Sequence, residues 1–417
     1  MGLRIIIAGA GVAGLAAAIA LRQGDREITI LEQSSISQEI GATISLQPNA
    51  SKIVEQQWGL ASKLKERGSM VDEAFEVYNL DGEMQIRIPL LTKDKYGAER
   101  MMYHRADLHE TLKERATSPA FPGRPAVLRT SSRVVRCDCR KGTIELVSGE
   151  AFQADLIVGA DGIKSMIRKS VLGEDVMARP TGLSAYRMMI PVNELEEESD
   201  FVKIIDPRKG CTTMVVGRDR RLIMGPARNG SIYGIVALVP DENMNEDAAN
   251  TGWTTSGDHD KMMKTFSDFP AWAQKPLQLA KDTRLGLWQL RDLDPLPTWH
   301  KGRAILIGDA AHAMLPTQGQ GASQAIEDAE ALSAFFNGAE ETSSGSTLEL
   351  VARMNEAIFN CRHERATTIQ AYSREAAKPA TDLGDRKIKM NPGEFMEYNC
   401  SYGGALDWQR RQGIVSG

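Results

Sequence analysis

A glycine-rich turn near the N-terminus restricts the fold more than any other feature of the chain. Residues 3–33 read "LRIIIAGAGVAGLAAAIALRQGDREITILEQ", in which an apolar run meets three spaced glycines and then a run of small residues. This pattern predicts a strand, a tight turn, a helix and a second strand that ends at Glu32. In such a unit Gly9 permits the turn, Gly11 lets a pyrophosphate approach the backbone, and Gly14 lets the helix pack on the strand. The sequence therefore predicts a Rossmann-like unit that binds an adenosine dinucleotide.

Glu32 narrows the choice of dinucleotide. Its carboxylate would accept hydrogen bonds from a ribose 2′-OH and would repel a 2′-phosphate, so the site suits FAD or NAD rather than NADP. The glycines also explain the apolar run at 5–21, which could otherwise be taken for a signal peptide or a membrane span. We therefore expect no membrane span.

Length, charge and cysteine content limit the remaining possibilities. A chain of 417 residues exceeds the roughly 250–300 residues that one hydrophobic core usually supports, so two domains that share a cleft are expected. A net charge of −5, without a basic tail, disfavours a nucleic acid partner. The five cysteines, including Cys137 and Cys139, and the six histidines form neither a disulfide framework nor a metal-binding pattern. We therefore expect no metal site and a reducing, cytoplasmic location.

Two later segments return to the same type of unit. Residues 154–171 read "ADLIVGADGIKSMIRKSV", an apolar strand that ends beside Asp161 and precedes a helix. Residues 303–321 read "RAILIGDAAHAMLPTQGQG", a second apolar strand that leads through Asp309 into spaced glycines and another helix. A plain NAD-dependent dehydrogenase would use the first motif and leave both of these unexplained.

These three motifs, in this order, resemble the single-component FAD-dependent aromatic hydroxylases, in particular the salicylate-hydroxylase-like branch with its many fungal biosynthetic monooxygenases. The resemblance extends from Gly9 to about Ala376. Supporting segments are "GATISLQPNA" at 41–50 and "YHRADLHETL" at 103–112. It implies an α/β fold: a Rossmann-like FAD-binding domain, an inserted antiparallel-sheet substrate domain and a C-terminal helical region. The expected boundaries are 1–70, 98–180 and 285–376 for the discontinuous FAD-binding domain, 71–97 and 181–284 for the substrate-binding sheet domain, and 377–417 for the C-terminal helical segment.

The resemblance also implies roles for individual residues. Asp309 would bind the ribitol hydroxyls of FAD, the loop 316–321 would present backbone N–H groups to the flavin N1/O2 edge, and Arg105 would lie beside the flavin. His312 is expected to pack and to hydrogen bond within the loop rather than act as a base. The residues expected to bind the cofactor are Gly9, Gly11, Ala13, Gly14, Glu32, Gly41, Ala42, Arg105, Asp161, Asp309, Pro316, Gly319, Gly321 and Ala322.

Two candidate catalytic residues lie in "SAYRMMIPV" at 184–192, at the start of a region of alternating strands. Tyr186 and Arg187 are adjacent, so a strand would turn them to opposite faces, and one of them should face the substrate pocket. A guanidinium there could hold a phenolate or assist oxygen transfer, which favours Arg187. If the strand has the opposite phase, Tyr186 becomes the candidate.

The resemblance implies that NADPH or NADH reduces FAD, that O2 adds to give a flavin C4a-hydroperoxide, and that a small phenolic or indole-type aromatic molecule is hydroxylated or epoxidised, in secondary metabolism. The nicotinamide preference, the substrate and the choice between a monomer and a homodimer stay open. The alternatives are a flavin-fold NAD(P)-linked dehydrogenase and a non-catalytic dinucleotide-binding protein.

Overall fold

The computed structural model describes residues 2–35, 42–241, 254–280, 285–338, 346–378 and 388–413. In these ranges the strands are β1 Arg4–Ala8, β2 Glu27–Leu31, β3 Thr43–Leu46, β4 Met70–Val71, β5 Ala74–Tyr78, β6 Met84–Pro89, β7 Met101–His104, β8 Val127–Arg129, β9 Val134–Asp138, β10 Thr143–Leu146, β11 Ala151–Gln153, β12 Leu156–Gly159, β13 Arg179–Pro191, β14 Cys211–Val216, β15 Arg221–Ala227, β16 Ile232–Pro240, β17 Thr254–Ser256, β18 Gly286–Asp292, β19 His300–Lys301 and β20 Ala304–Leu306.

The α-helices in the same ranges are α1 Val12–Leu21, α2 Pro48–Lys52, α3 Ala61–Glu66, α4 Lys93–Tyr96, α5 Arg105–Thr117, α6 Met166–Leu172, α7 Val192–Glu196, α8 Ser199–Val202, α9 His259–Thr265, α10 Ala271–Leu279, α11 Asp309–His312, α12 Gly321–Phe336, α13 Thr347–Ala377, α14 Pro392–Cys400 and α15 Ala405–Arg411. A π-helical segment at Ile53–Gln57 continues α2, and a 3-10 turn at Pro316–Gln318 precedes α12. No helix in the described ranges is both long and apolar enough to cross a bilayer.

A six-stranded sheet brings the three motifs together. Its order is β19-β20-β12-β1-β2-β8, and all of its strands except β19 run parallel. Its central strands are buried, as expected for a parallel sheet covered on both faces. Ala8 is level with Gly159, and Gly159 is level with Leu306. The glycine turn, Asp161 and Asp309 therefore follow the carboxyl ends of three adjacent strands at one edge of the sheet.

An eight-stranded sheet forms the second layer, in the order β17-β18-β13-β16-β15-β14-β5-β6. Most of its strands are antiparallel, and β5 runs parallel to β14. One face packs against helices α7 to α10 in a buried apolar core. Strand β18 pairs with β13 although it lies beyond the expected boundary at residue 284. Because hydrogen bonds join β18 to β13, we propose a boundary after Asp292 instead.

The other face of this sheet is turned to the nucleotide unit. A Cβ atom at Gly234 would lie 2.3 Å from the Thr43 methyl carbon, and one at Gly225 would lie 2.9 Å from the Met102 methyl carbon. Both contacts involve the small sheet β3-β7-β4. This close packing of backbone against side chains sets the distance between the eight-stranded sheet and the small sheet β3-β7-β4. The expected α/β class, with a parallel nucleotide sheet, an inserted largely antiparallel sheet and C-terminal helices, is confirmed.

Candidate cofactor and substrate site

The glycine turn has one crowded side and one open side. A Cβ at Gly9 would lie 2.3 Å from the Ala160 carbonyl oxygen, and one at Gly14 would lie 1.9 Å from the Gly9 carbonyl oxygen, so neither position accepts a larger residue. A Cβ at Gly11, in contrast, would meet nothing within 4 Å, and no side chain caps the start of α1. The open space at an uncapped helix N-terminus fits a pyrophosphate.

Glu32 lies directly after β2 and holds the turn in place. Its Oε2 atom accepts the Ala10 N–H at 2.8 Å, and its Oε1 atom accepts the Ser34 N–H at 2.8 Å. A carboxylate has about four lone-pair sites, so it can still accept a ribose hydroxyl. The half-buried side chain therefore fits the expected position beside an adenosine ribose.

Asp309 follows β20, and the segment that carries it passes beside the first turn of α1. A Cβ at the preceding Gly308 would lie 2.8 Å from the Ala13 Cβ atom, which shows how closely the two segments approach. The Asp309 side chain is accessible from the cleft, but protein atoms surround it at a short distance. The resulting desolvation raises its pKa, and the positive charges of His312 and Arg105 oppose this rise. A carboxylate at this point suits a polyhydroxyl chain that lies along the cleft.

The segment before α12 opens a second helix N-terminus to the same region. Pro316 begins the 3-10 turn, and Gly319 closes it with φ of 61°, a left-handed conformation that favours glycine. No side chain caps α12, and a Cβ at Gly321 would meet nothing within 4 Å. With Ala322 half-buried next to it, this 16-residue helix offers backbone N–H groups and the positive end of its dipole to a negatively charged group.

Arg105 connects the cofactor region with the substrate region. It begins α5, and its backbone N–H donates to the Ala42 carbonyl oxygen at 2.8 Å. Its positive charge lowers the pKa of both Asp309 and Arg187, so its guanidinium lies near both groups. The expected cofactor residue Gly41 lies outside the described residues.

The Asp161 side chain has a different set of partners from the one expected for a direct cofactor ligand. Its carboxylate accepts the Ser165 hydroxyl and the backbone N–H groups of Met166 and Ile167, the latter two at 2.6 and 3.1 Å. Burial raises the pKa of Asp161, and these hydrogen bonds oppose the rise. Its visible role is to fix the start of α6, and direct contact with the cofactor stays a prediction.

Arg187 and Tyr186 lie on opposite faces of β13. Tyr186 is completely buried in the core between the sheet and helices α7 to α10, so it does not face the cofactor side as a catalytic candidate would. Arg187 is on the cofactor side, where its guanidinium carbon lies 5.1 Å from the Trp288 ring centroid. Its buried Nε atom has no hydrogen-bond partner among the described residues. Burial lowers the pKa of Arg187, and nearby Arg105 lowers it further.

A buried ion network behind the cofactor loop was not recognised from the sequence. Arg362 of α13 lies 2.5 Å from Glu327 and 3.0 Å from Asp328, both on α12. Arg365 adds a second ion pair to Glu327 at 2.7 Å, and His312 pairs with Asp328 at 2.6 Å. The sequence indicates only that the arginines are solvated or salt-bridged. The sequence signal for this network is the opposite charge of two helical segments, the acidic "IEDAE" and the arginine-containing "RHER".

Comparisons with known proteins agree with this geometry. A family model described as an FAD binding domain matches residues 3–348. Hispidin-3-hydroxylase of Neonothopanus nambi is 32% identical over 385 residues, which cover 89% of this chain and 88% of that protein. The FAD-dependent monooxygenase cfoG of Aspergillus candidus is 32% identical over 397 residues, which cover 94% of this chain and 89% of that protein.

A solved structure supports the same assignment. The salicylate hydroxylase substrate complex has a TM-score of 0.74 at 26% identity and covers 99% of this chain and 95% of that chain. Matched over most of its length in sequence and in fold, and with two open helix N-termini where a dinucleotide fits, the chain belongs to the FAD-dependent monooxygenases that share this FAD binding domain.

Proposed function

We propose that the chain uses NADPH or NADH and O2 to hydroxylate or epoxidise a small aromatic molecule of the phenolic or indole type. The observation that carries this proposal is Arg187, a guanidinium on the cofactor side whose buried Nε atom has no protein partner among the described residues. A buried polar group without a partner is costly, so a ligand that pairs with it explains why it is there. The names of two related proteins, hispidin-3-hydroxylase and salicylate hydroxylase, support an aromatic substrate.

The chemistry that FAD would supply when bound is redox chemistry, namely hydride transfer from the nicotinamide and activation of O2. The protein's own part is positional and electrostatic. Gly11 and the start of α1 would hold the pyrophosphate, Glu32 would hold the adenosine ribose and Asp309 would hold the ribitol chain. The backbone N–H groups at Gly321 and Ala322 would stabilise negative charge on the reduced cofactor.

Arg187 acts on the substrate. A guanidinium stays protonated at neutral pH, so Arg187 serves as a hydrogen-bond donor and a positive charge rather than as a base. The Trp288 ring beside it supports the guanidinium by a cation–π contact and adds an apolar surface for an aromatic ring. Together they hold an acidic aromatic group with its ring against Trp288 and its negative oxygen toward Arg187.

The two alternatives are less well supported. A dehydrogenase or a non-catalytic dinucleotide-binding protein requires only the first glycine motif, whereas the whole chain resembles monooxygenases. A cytoplasmic location and a monomeric or homodimeric state remain part of the proposal. Cell fractionation would test the location, and light scattering of the purified protein would test the oligomeric state.

The function is tested by oxygen uptake of the FAD-loaded protein with NADH and with NADPH. Salicylate, a phenolic polyketide and an indole are supplied in turn, and products are examined after reaction under ¹⁸O2. We expect substrate-stimulated nicotinamide oxidation and one ¹⁸O atom in the product for at least one class. Nicotinamide oxidation that no aromatic compound stimulates, with no labelled product, would contradict the proposal.

A further inference from the structure

A row of apolar side chains crosses the cofactor side of the eight-stranded sheet and begins at Arg187. Paired residues on successive strands must share one face, so the register identifies the members of this row. The pairs are Arg187 with Val236, Val236 with Ile223, Ile223 with Met214, Met214 with Val77, and Val77 with Ile86. We call Val236, Ile223, Met214, Val77 and Ile86 the apolar row.

The apolar row is only partly covered: Val236 and Ile223 lie at the margin of a small buried cluster, and the other three members belong to none of the buried clusters in the described residues. Sequence neighbours of its members, such as Val215 and Leu222, point to the opposite face and are completely buried. The row members are half-buried, and Ile86 at the sheet edge is 53% exposed. An apolar surface of this kind, continuous with a polar site, is typical of a ligand-binding surface.

Packing flanks the inner end of the row, at Val236 and Ile223, on both sides. On one side, strands β3 and β7 approach Gly234 and Gly225 so closely that a Cβ would not fit. On the other side, Leu315, next to the cofactor loop, packs in a cluster with Ile223 and Val236. We call this flanked inner end, together with its open continuation over Met214 and Val77 to Ile86, the groove.

The groove is longer than a single aromatic ring. Arg187 lies on β13 and Ile86 on β6, which are five strands apart in the sheet. With about 4.8 Å between neighbouring strands, the floor is about 24 Å long. A benzoate-sized molecule held by Arg187 would leave most of this apolar surface in water.

We propose that this groove binds the apolar part of an elongated substrate, whose acidic aromatic ring lies beside Arg187 and whose hydrocarbon chain or apolar ring system extends along the row toward Ile86. This inference rests on the proposed function, because that function places the reacting ring at Arg187. It selects an elongated amphiphilic aromatic molecule over a single-ring acid as the substrate class.

The chain offers a direct binding test. Salicylates that carry linear alkyl chains of zero to ten carbons, in separate series substituted at ring positions 4 and 5, are titrated into the FAD-loaded protein. Binding is measured by calorimetry and by the change in flavin absorbance, neither of which requires turnover. In at least one series we expect affinity to rise about threefold for each added methylene, as for a chain that is removed from water.

Met214→Glu places a carboxylate in the middle of the groove floor. We expect it to abolish the gain for the longer chains, so that the decyl compound binds at least tenfold more weakly than to the unmodified protein. Met177→Glu is the matched control, because Met177 is 57% exposed and lies outside the row. This control should keep the full dependence on chain length.

Affinity that does not depend on chain length in either series would overturn the proposal, as would a Met214→Glu protein that keeps the original dependence. Failure of the proposed function has a different signature. In that case none of the compounds would stimulate nicotinamide oxidation, whatever their affinities.

Discussion

The Nε2 atom of His312 lies 2.6 Å from the Oδ2 atom of Asp328, in a pair that solvent does not reach. The same Oδ2 atom accepts the backbone N–H of Gly308 at 2.9 Å. Asp328 thereby ties the end of β20 and the turn of α11 to the middle of α12. This one carboxylate therefore holds both ends of the short segment from Gly308 to His312, which carries Asp309.

Asp328→Asn is expected to destabilise the fold in a pH-dependent way. Burial alone would raise the pKa of Asp328, but His312 and Arg362 outweigh it and lower the pKa to about 2. Because this lies below the ordinary value of 3.8, the charge of Asp328 stabilises the fold above about pH 4, and the stabilisation is lost as pH falls toward 2. We expect the free energy of unfolding at pH 7 to fall by about 3–5 kcal/mol.

Urea denaturation of both proteins between pH 7 and pH 3 measures this difference. It should shrink as the pH falls, whereas Asp260→Asn, at an almost fully exposed side chain, should change the free energy of unfolding by less than about 1 kcal/mol at any pH. A difference that stays constant over this range would show that the charge of Asp328 is not what stabilises the fold.

Gly11→Val should give a folded protein without FAD. The new side chain enters the open space at the start of α1, where its Cβ meets no protein atom within 4 Å but the side chain blocks the pyrophosphate. Gly14→Val should instead impair folding, because its Cβ would clash with the Gly9 carbonyl oxygen. Circular dichroism and flavin content distinguish the two results. A Gly11→Val protein with one FAD per chain would show that the pyrophosphate does not bind at this turn.

Glu32→Ala should weaken FAD binding by roughly 1.5–3 kcal/mol, the range for a hydrogen bond to a charged group. Glu27→Ala is the control, since Glu27 lies at the far end of the same strand and forms an exposed ion pair with Arg124. Flavin fluorescence titration of the apoproteins gives both affinities. Equal affinities in the two variants would exclude Glu32 from the ribose site.

Asp309→Ala should weaken FAD binding by about 1–3 kcal/mol, because the ribitol hydroxyls lose their acceptor. Arg105→Ala should weaken it less but slow reduction by NAD(P)H on the order of tenfold, since a positive charge near the flavin favours the arriving negative charge. FAD titration and stopped-flow reduction separate the two effects. Unchanged values in both variants would refute this placement.

Local sequence patterns were sufficient for the nucleotide unit. Gly9, Gly11 and Gly14 have the crowding or the open space that the motif requires, because each role depends on residues close in sequence or on an adjacent strand. The same is true of the helix that starts at Gly321, which the glycine and helical pattern indicate directly.

Contacts between distant segments could not be predicted. The phase of β13 depends on its pairing with β16 and β18 and on a register shift between Pro180 and Ser184, so the choice between Tyr186 and Arg187 needed the sheet. The hydrogen-bond partners of Asp161 could likewise be identified only once the position of α6 was known. The partners of Arg362 lie more than thirty residues away on another helix, and sequence spacing does not show which residues of two helices face each other.

The central claim is that Arg187 acts on the substrate, and product formation by Arg187→Ala tests it most directly. With saturating nicotinamide, O2 and the best aromatic substrate, coupled product should fall by about 10²-fold while FAD binding stays intact, the scale of losing one directed donor. Tyr186→Phe, which alters only a hydroxyl buried in the opposite core, should keep its product yield. Product formation at the original rate by Arg187→Ala would contradict the account.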